Sequence, residues 1–188
     1  MQISGLLDIG DIQLIWLNGG NFRLDGGAMF GAVPKVLWQK NYPVDADNTI
    51  PMCNDPLLIK TSQSTILIDT GLGNKLTDKQ KSIFKVSGES NLVDQLQAHG
   101  IHREEVTQVV LTHCDFDHAG GIQRYNRHGE KEMVFPEAVH FVQRKEWQDV
   151  LNPHPRSKST YFENNFSLLK KSKQLFLLDG DKEISPGI

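Results

Sequence analysis

Cysteine is nearly absent: Cys53 and Cys114 are the only two in 188 residues. Two distant cysteines make no disulfide framework, and a chain this long needs no staple to bury a core. Their scarcity suits a reducing compartment. Long hydrophobic runs are missing as well. The stretch from Met1 to Trp16 has no basic start, and Asp8 and Asp11 interrupt its apolar residues. It reads as neither a signal peptide nor a membrane-spanning helix, so a cytoplasmic protein with no membrane partner is expected. Basic charge is not in excess either; the formal net charge is -3. A nucleic-acid partner would call for a basic face, so none is expected. No repeat, low-complexity tract or linker divides the sequence, and residues 1–188 read as a single domain.

What is present alternates short apolar runs with turns and helical patterns, which indicates a mixed α and β domain. Residues 11–17, 55–60, 64–69, 106–111, 138–142 and 175–178 read as strands. Residues 91–99 place Leu92, Val93 and Leu96 on one helical face. Residues 144–151 read as a short helix, and residues 161–171 as another, with Phe162, Phe166 and Leu169 at helical spacing. Residues 18–48 are rich in Gly and Pro and read as long loops, of the kind that usually line a site.

The chemistry concentrates in Thr112-His113-Cys114-Asp115-Phe116-Asp117-His118-Ala119-Gly120-Gly121, directly after an apolar strand. His113, Asp115, Asp117 and His118 are all of metal-ligand type. In extended backbone His113 and Asp115 point to one side, while the neighbours Asp117 and His118 point apart. One short loop can thus offer a pair of donors to each of two divalent ions, and such a pair of ions can activate water and polarise an ester or phosphoryl oxygen. Asp117 is also the candidate catalytic carboxylate. Cys114 alternates to the other side and is left out. Asp69 ends the strand before Thr70-Gly71. It either orients a metal-bound histidine from behind or caps local turn amides. His99, His102, His128, His140 and His154 read as structural.

The 112–121 stretch resembles the H-x-H-x-D-H loop of the metallo-β-lactamase superfamily, and Asp69-Thr70-Gly71 resembles its upstream Asp turn. Trp16-Leu17-Asn18-Gly19-Gly20, Asp25-Gly26-Gly27-Ala28-Met29-Phe30-Gly31, Val33-Pro34-Lys35, Lys75-Leu76-Thr77-Asp78-Lys79-Gln80 and Arg156-Ser157-Lys158-Ser159-Thr160-Tyr161 add a resemblance to YtnP-type quorum-quenching lactonases, relatives of N-acyl-homoserine lactone hydrolases. The resemblance implies an α/β (α+β) αββα sandwich holding two divalent metal ions, zinc first and manganese or iron as alternatives. It implies a small-molecule substrate, a lactone ring opened by a metal-bridging hydroxide. Asp115 stands where that loop usually carries its middle histidine. A hard, anionic ligand shifts preference toward manganese or iron. A similar His-x-Asp-x-Asp-His loop in DNA-uptake proteins keeps a metal-dependent phosphodiesterase as the alternative. Family members continue beyond the segment resembling residues 179–188 and supply further ligands there. The resemblance therefore implies that residues 1–188 are the amino-terminal portion of the sandwich. Such a portion is expected to bind metal weakly and hydrolyse little, or to be a non-catalytic fold that pairs as a homodimer.

Overall fold

The computed structural model describes residues 5–88 and 90–188. The first four residues of the amino-terminal stretch, and Glu89, lie outside the described residues. In chain order the elements are β1 (Leu6–Ile9), β2 (Ile12–Trp16), β3 (Gly20–Asp25), α1 (Gly26–Phe30), α2 (Lys35–Trp38), β4 (Thr49–Asn54), β5 (Leu57–Lys60), β6 (Thr65–Ile68), α3 (Asp78–Ile83), α4 (Leu92–Ala98), β7 (Gln108–Val110), α5 (Phe116–Ala119), β8 (Gln123–Tyr125), β9 (Lys131–Met133), β10 (Val139–Gln143), α6 (Arg144–Leu151) and β11 (Leu175–Leu178). Among the described residues no helix is long and apolar enough to cross a membrane.

Seven strands form one sheet in the order β1-β2-β5-β6-β7-β10-β11. Its first four strands pair antiparallel and its last four run parallel, with β6 common to both halves. Alternation sends Ile15, Leu58, Leu67, Val109 and Val142 to one face, where they pack with Leu92 and Leu96 of α4 and Trp147 and Val150 of α6. This is the mixed α/β architecture that the sequence pattern indicates.

Two expectations are corrected. Residues 18–48, read as loops, contain β3, α1 and α2, and β3 pairs with β4 from Gly20↔Asn54 to Asp25↔Thr49. Backbone packing explains the glycines there. A Cβ on Gly19 would meet Gly71 Cα at 2.8 Å, and one on Gly20 would meet the Leu72 side chain at 2.5 Å. Residues 161–171 form no continuous helix, only 3-10 turns at Glu163–Asn165 and Leu169–Lys171. The buried Gln123 amide is the reason. Its Nε2 donates to the Asn164 carbonyl at 2.7 Å and its Oε1 accepts from the Leu168 N–H at 2.8 Å. Those two backbone groups would bond each other in an α-helix.

His140 stands level with Val109 and Leu175 in the parallel half and is fully buried. Burial pushes its imidazole down to about 4, although the Ala138 carbonyl at Nδ1 favours the charged form. Its Nε2 has no hydrogen-bond partner among the described residues. The folded pKa lies below the ordinary 6.5, so as pH falls through 6.5 the unfolded chain takes up a proton that the folded chain refuses. Stability is expected to decline from pH 6.5 to about 4 by roughly 3 kcal/mol from this group, then level off. Urea unfolding of the parent and of His140→Leu at pH 7 and pH 4.5 isolates the effect. Equal losses in both proteins would refute it.

Candidate metal centre

The polar cluster forms where two adjacent parallel strands end. Asp69 follows β6, and the 112–121 loop follows β7. Crevices at the carboxyl ends of parallel strands are where α/β sheets place their ligands. Asp69 has a φ of +60°, a left-handed conformation that Asp tolerates better than most residues. Its N–H still extends the ladder to the Val110 carbonyl at 2.8 Å. The twist aims the carboxylate across the loop. Oδ1 accepts from the Thr112 N–H at 2.9 Å, while Oδ2 accepts from the Thr112 hydroxyl at 2.8 Å and bonds His118 Nδ1 at 2.8 Å. The next residue fastens the same loop: the Thr70 N–H and hydroxyl both donate to the His118 carbonyl, at 2.7 and 2.8 Å.

The four residues singled out in the loop form two pairs. His113 Nε2 lies 3.7 Å from Asp115 Oδ2, and His118 Nε2 lies 3.3 Å from Asp117 Oδ2. The His113 and His118 rings bring the pairs side by side, with centroids 3.8 Å apart. Extended backbone at Asp115 places the first pair on one side as expected. The second pair differs from expectation. Asp117 and His118 sit in the helical turn α5, where successive residues diverge by much less than in a strand, so their side chains converge instead of pointing apart. The second pair is also the deeper, with side chains 15% and 24% exposed against 33% and 40% for Asp115 and His113. Among the described residues no three His, Cys, Asp or Glu side chains share one coordinating point.

The field at this spot favours a cation. Burial works against charge on His118, yet hydrogen bonds to Asp117 and Asp69 outweigh it and raise the imidazole to about 9. Imidazoles and carboxylates in such a field fit a divalent metal by donor chemistry. Cys114 does not join them. Its side chain is fully buried in the main core, and burial pushes the thiol up, away from the thiolate a metal requires. The remaining histidines lie elsewhere: His140 in the core, His99 at the end of α4, His102 before a 3-10 turn, and His128 and His154 bonded within their own loops.

Sequence reasoning passed over several residues that hold the loop. Glu146 Oε1 accepts from the Cys114 N–H at 2.6 Å and from the Tyr161 hydroxyl at 3.1 Å. The buried Lys75 ammonium donates to the carbonyls of Gly120 and Gln123. A buried lysine four residues past the glycine turn carries no periodic signal. Glu146 and Tyr161 are 32 and 15 residues apart from their partners in the chain.

A mixed sheet that gathers carboxylates and imidazoles at the ends of neighbouring parallel strands defines the class, an α/β fold with an edge-mounted metal-type site. Residues 55–180 match the metallo-beta-lactamase superfamily, and the chain belongs to that family. It is 22% identical over 142 residues to the N-acyl homoserine lactonase AiiA of Bacillus thuringiensis subsp. kurstaki, a match covering 70% of this chain and 49% of the lactonase. The chain thus spans about half the length of the curated relatives it matches. Among solved structures, a probable metal-dependent hydrolase from Staphylococcus aureus is 40% identical with a TM-score of 0.88, over 96% of this chain and 64% of that one. AidC, a dizinc quorum-quenching lactonase solved with a homoserine product, has a TM-score of 0.71 at 23% identity, over 97% of this chain and 63% of its own; at that identity it shares the fold.

Proposed function

We propose that this chain carries part of the active site of a metal-dependent hydrolase that opens a lactone ring of the N-acyl-homoserine type. The observation that carries the reading is the Asp69–His118 hydrogen bond at 2.8 Å. A carboxylate on Nδ1 directs the Nε2 lone pair outward, the arrangement by which metal-bound histidines are oriented. His113 and Asp115 would serve one metal and Asp117 and His118 the other. Two divalent ions, zinc first, would supply a polarised carbonyl and an activated water. Asp117, the deeper carboxylate, has its Oδ2 3.3 Å from His118 Nε2, so the two donors face one metal position; its further role is to accept a proton from the attacking water. The small-molecule substrate would approach over the more exposed His113 and Asp115. The lactonase relatives support the lactone substrate. Two donors per ion fall short of the roughly three to four that zinc sites use, so the described residues alone would hold metal loosely.

The test combines metal content with substrate choice. Zinc and manganese retention would be measured on the 188-residue chain and on the full product of its reading frame, alongside hydrolysis of N-hexanoyl-homoserine lactone and of a nitrophenyl phosphodiester. Lactone opening with zinc bound is the expected result for the full product, and loose metal with little hydrolysis for the 188-residue chain. Manganese-dependent phosphodiester cleavage without lactone opening would select the alternative that Asp115 favours. Asp115→His exchanges a hard ligand for a borderline one and is expected to raise zinc retention severalfold over manganese. Unchanged zinc retention would remove Asp115 from the ligand set.

A further inference from the structure

Lys75 is 8% exposed, and its ammonium reaches across 45 residues of sequence to Gly120 and 48 to Gln123. Burying an ammonium is costly unless its protons are hydrogen-bonded. Here two carbonyls take two of its three N–H donors. Burial, reinforced by the like charge of Lys131, draws the lysine down to about 7. The place of this group in the fold is specific. Gly120 closes the carboxyl end of α5, the four-residue turn that bears Asp117 and His118. A helix end leaves carbonyls without intrahelical partners, and a cation is the favoured group there. The segments on either side touch through bare backbone. A Cβ on Gly73 would lie 2.1 Å from the Gly120 carbonyl oxygen, and one on Gly121 would lie 2.1 Å from that of Thr70. Apolar packing of Leu72 with Phe116 holds one flank of this contact; at the bare-backbone part, hydrogen bonds fix the relative position of the two segments. Thr70 supplies those bonds at His118 and Gly121, and Lys75 supplies them at Gly120 and Gln123.

We propose that Lys75 is a positioning residue for the metal-type loop: its buried ammonium clamps the Gly120 and Gln123 carbonyls and so fixes where α5 presents Asp117 and His118. The clamp itself follows from the geometry; that it tunes metal affinity rests on the function proposed above. Lys75→Met fills the niche with apolar atoms and leaves both carbonyls without that donor. Leu58→Ala, a cavity in β5 that touches none of the Lys75 hydrogen bonds, serves as a control of comparable destabilisation. Amide hydrogen exchange and zinc affinity by competition titration would be read on the parent and both variants. In Lys75→Met, exchange at the Ala119 and Gly121 amides is expected to rise at least tenfold beyond any chain-wide increase, with zinc affinity at least tenfold weaker. Leu58→Ala is expected to raise exchange across the chain without singling out these amides, and to leave zinc affinity within about twofold. Exchange at Ala119 and Gly121 that rises no more than elsewhere overturns the clamp. A rise in exchange with unaltered zinc affinity overturns the positioning role. If the parent binds no zinc, the function proposed above fails, and the exchange pattern alone decides for or against the clamp. Should methionine at position 75 prevent folding, Lys75→Gln, which keeps N–H donors on a shorter stem, is judged by the same criteria.

Discussion

Asp69→Asn is expected to weaken zinc binding about 10- to 100-fold while the chain still folds. The carboxylate has three partners, the Thr112 N–H, the Thr112 hydroxyl and His118 Nδ1. The carboxylate accepts from each, so the neutral His118 ring, the form that binds a metal, must donate from Nδ1 and leave Nε2 as the lone-pair nitrogen. An amide has one acceptor and one donor end. If its oxygen stays with the Thr112 N–H, its NH2 faces Nδ1, which must then accept, and the proton moves to Nε2 where a metal would bind. If the amide turns round, the Thr112 N–H loses its acceptor. The second arrangement leaves a part-buried donor unsatisfied and so also lowers stability, by less than the roughly 1–3 kcal/mol of a fully buried one. Nitrogen-15 chemical shifts of the His118 ring, followed in the metal-free protein to a pH above its pKa of about 9, report the tautomer of the neutral ring, and competition with a chelator reports affinity. Unchanged shifts together with unchanged affinity would remove Asp69 from its orienting role and leave it as a turn cap.

The orienting reading of Asp69 was one of two left open by the sequence, since a strand followed by Asp-Thr-Gly suits both. The deciding facts are a positive φ and a partner 49 residues away, neither of which a local pattern displays. Legibility tracked locality elsewhere too. Strands β2, β5, β6, β10 and β11 and helices α4 and α6 stood out because each buries one face against a single core, which imposes a clean period. The 161–171 segment shows how that rule fails. Phe166 and Leu169 enter the main core, but Phe162 packs with Phe84 and Phe116 in a second cluster. Helical spacing was present without a single face to serve, and Gln123 captured the backbone. The β3–β4 pair was hidden for another reason: 23 residues separate its strands, and its glycines answer to packing against Gly71 and Leu72 rather than to turns. At the site the residue types and their dense spacing were legible. The convergence of Asp117 with His118 was not, because it depends on α5 being helical within a loop that reads as extended.

Gly120→Ala is expected to cost more than 4 kcal/mol, a loss reached by few single substitutions, and propensity alone would give the opposite sign. Gly120 has φ -64° and ψ -29°, ordinary right-handed helical values. At such a position alanine is normally favoured over glycine by about 1 kcal/mol. The contacts decide otherwise. A Cβ there would lie 2.1 Å from the Leu72 carbonyl oxygen and 2.4 Å from its carbon. Both atoms are backbone, so no side chain can swing aside. Relief would require the Leu72–Gly73 segment to move away from the loop, which would draw Lys75 off the Gly120 carbonyl and strain Thr70 at His118. Gly10→Ala supplies the contrast. Its φ is +61° but a Cβ would meet nothing within 4 Å, so only the left-handed penalty of about 1–2 kcal/mol applies. Urea unfolding of the two variants therefore separates close packing from backbone conformation. A Gly120→Ala protein as stable as the parent would mean that the strand-end turn and the metal-type loop are not pressed together, and the alignment of Asp69 with His118 would lose its mechanical basis.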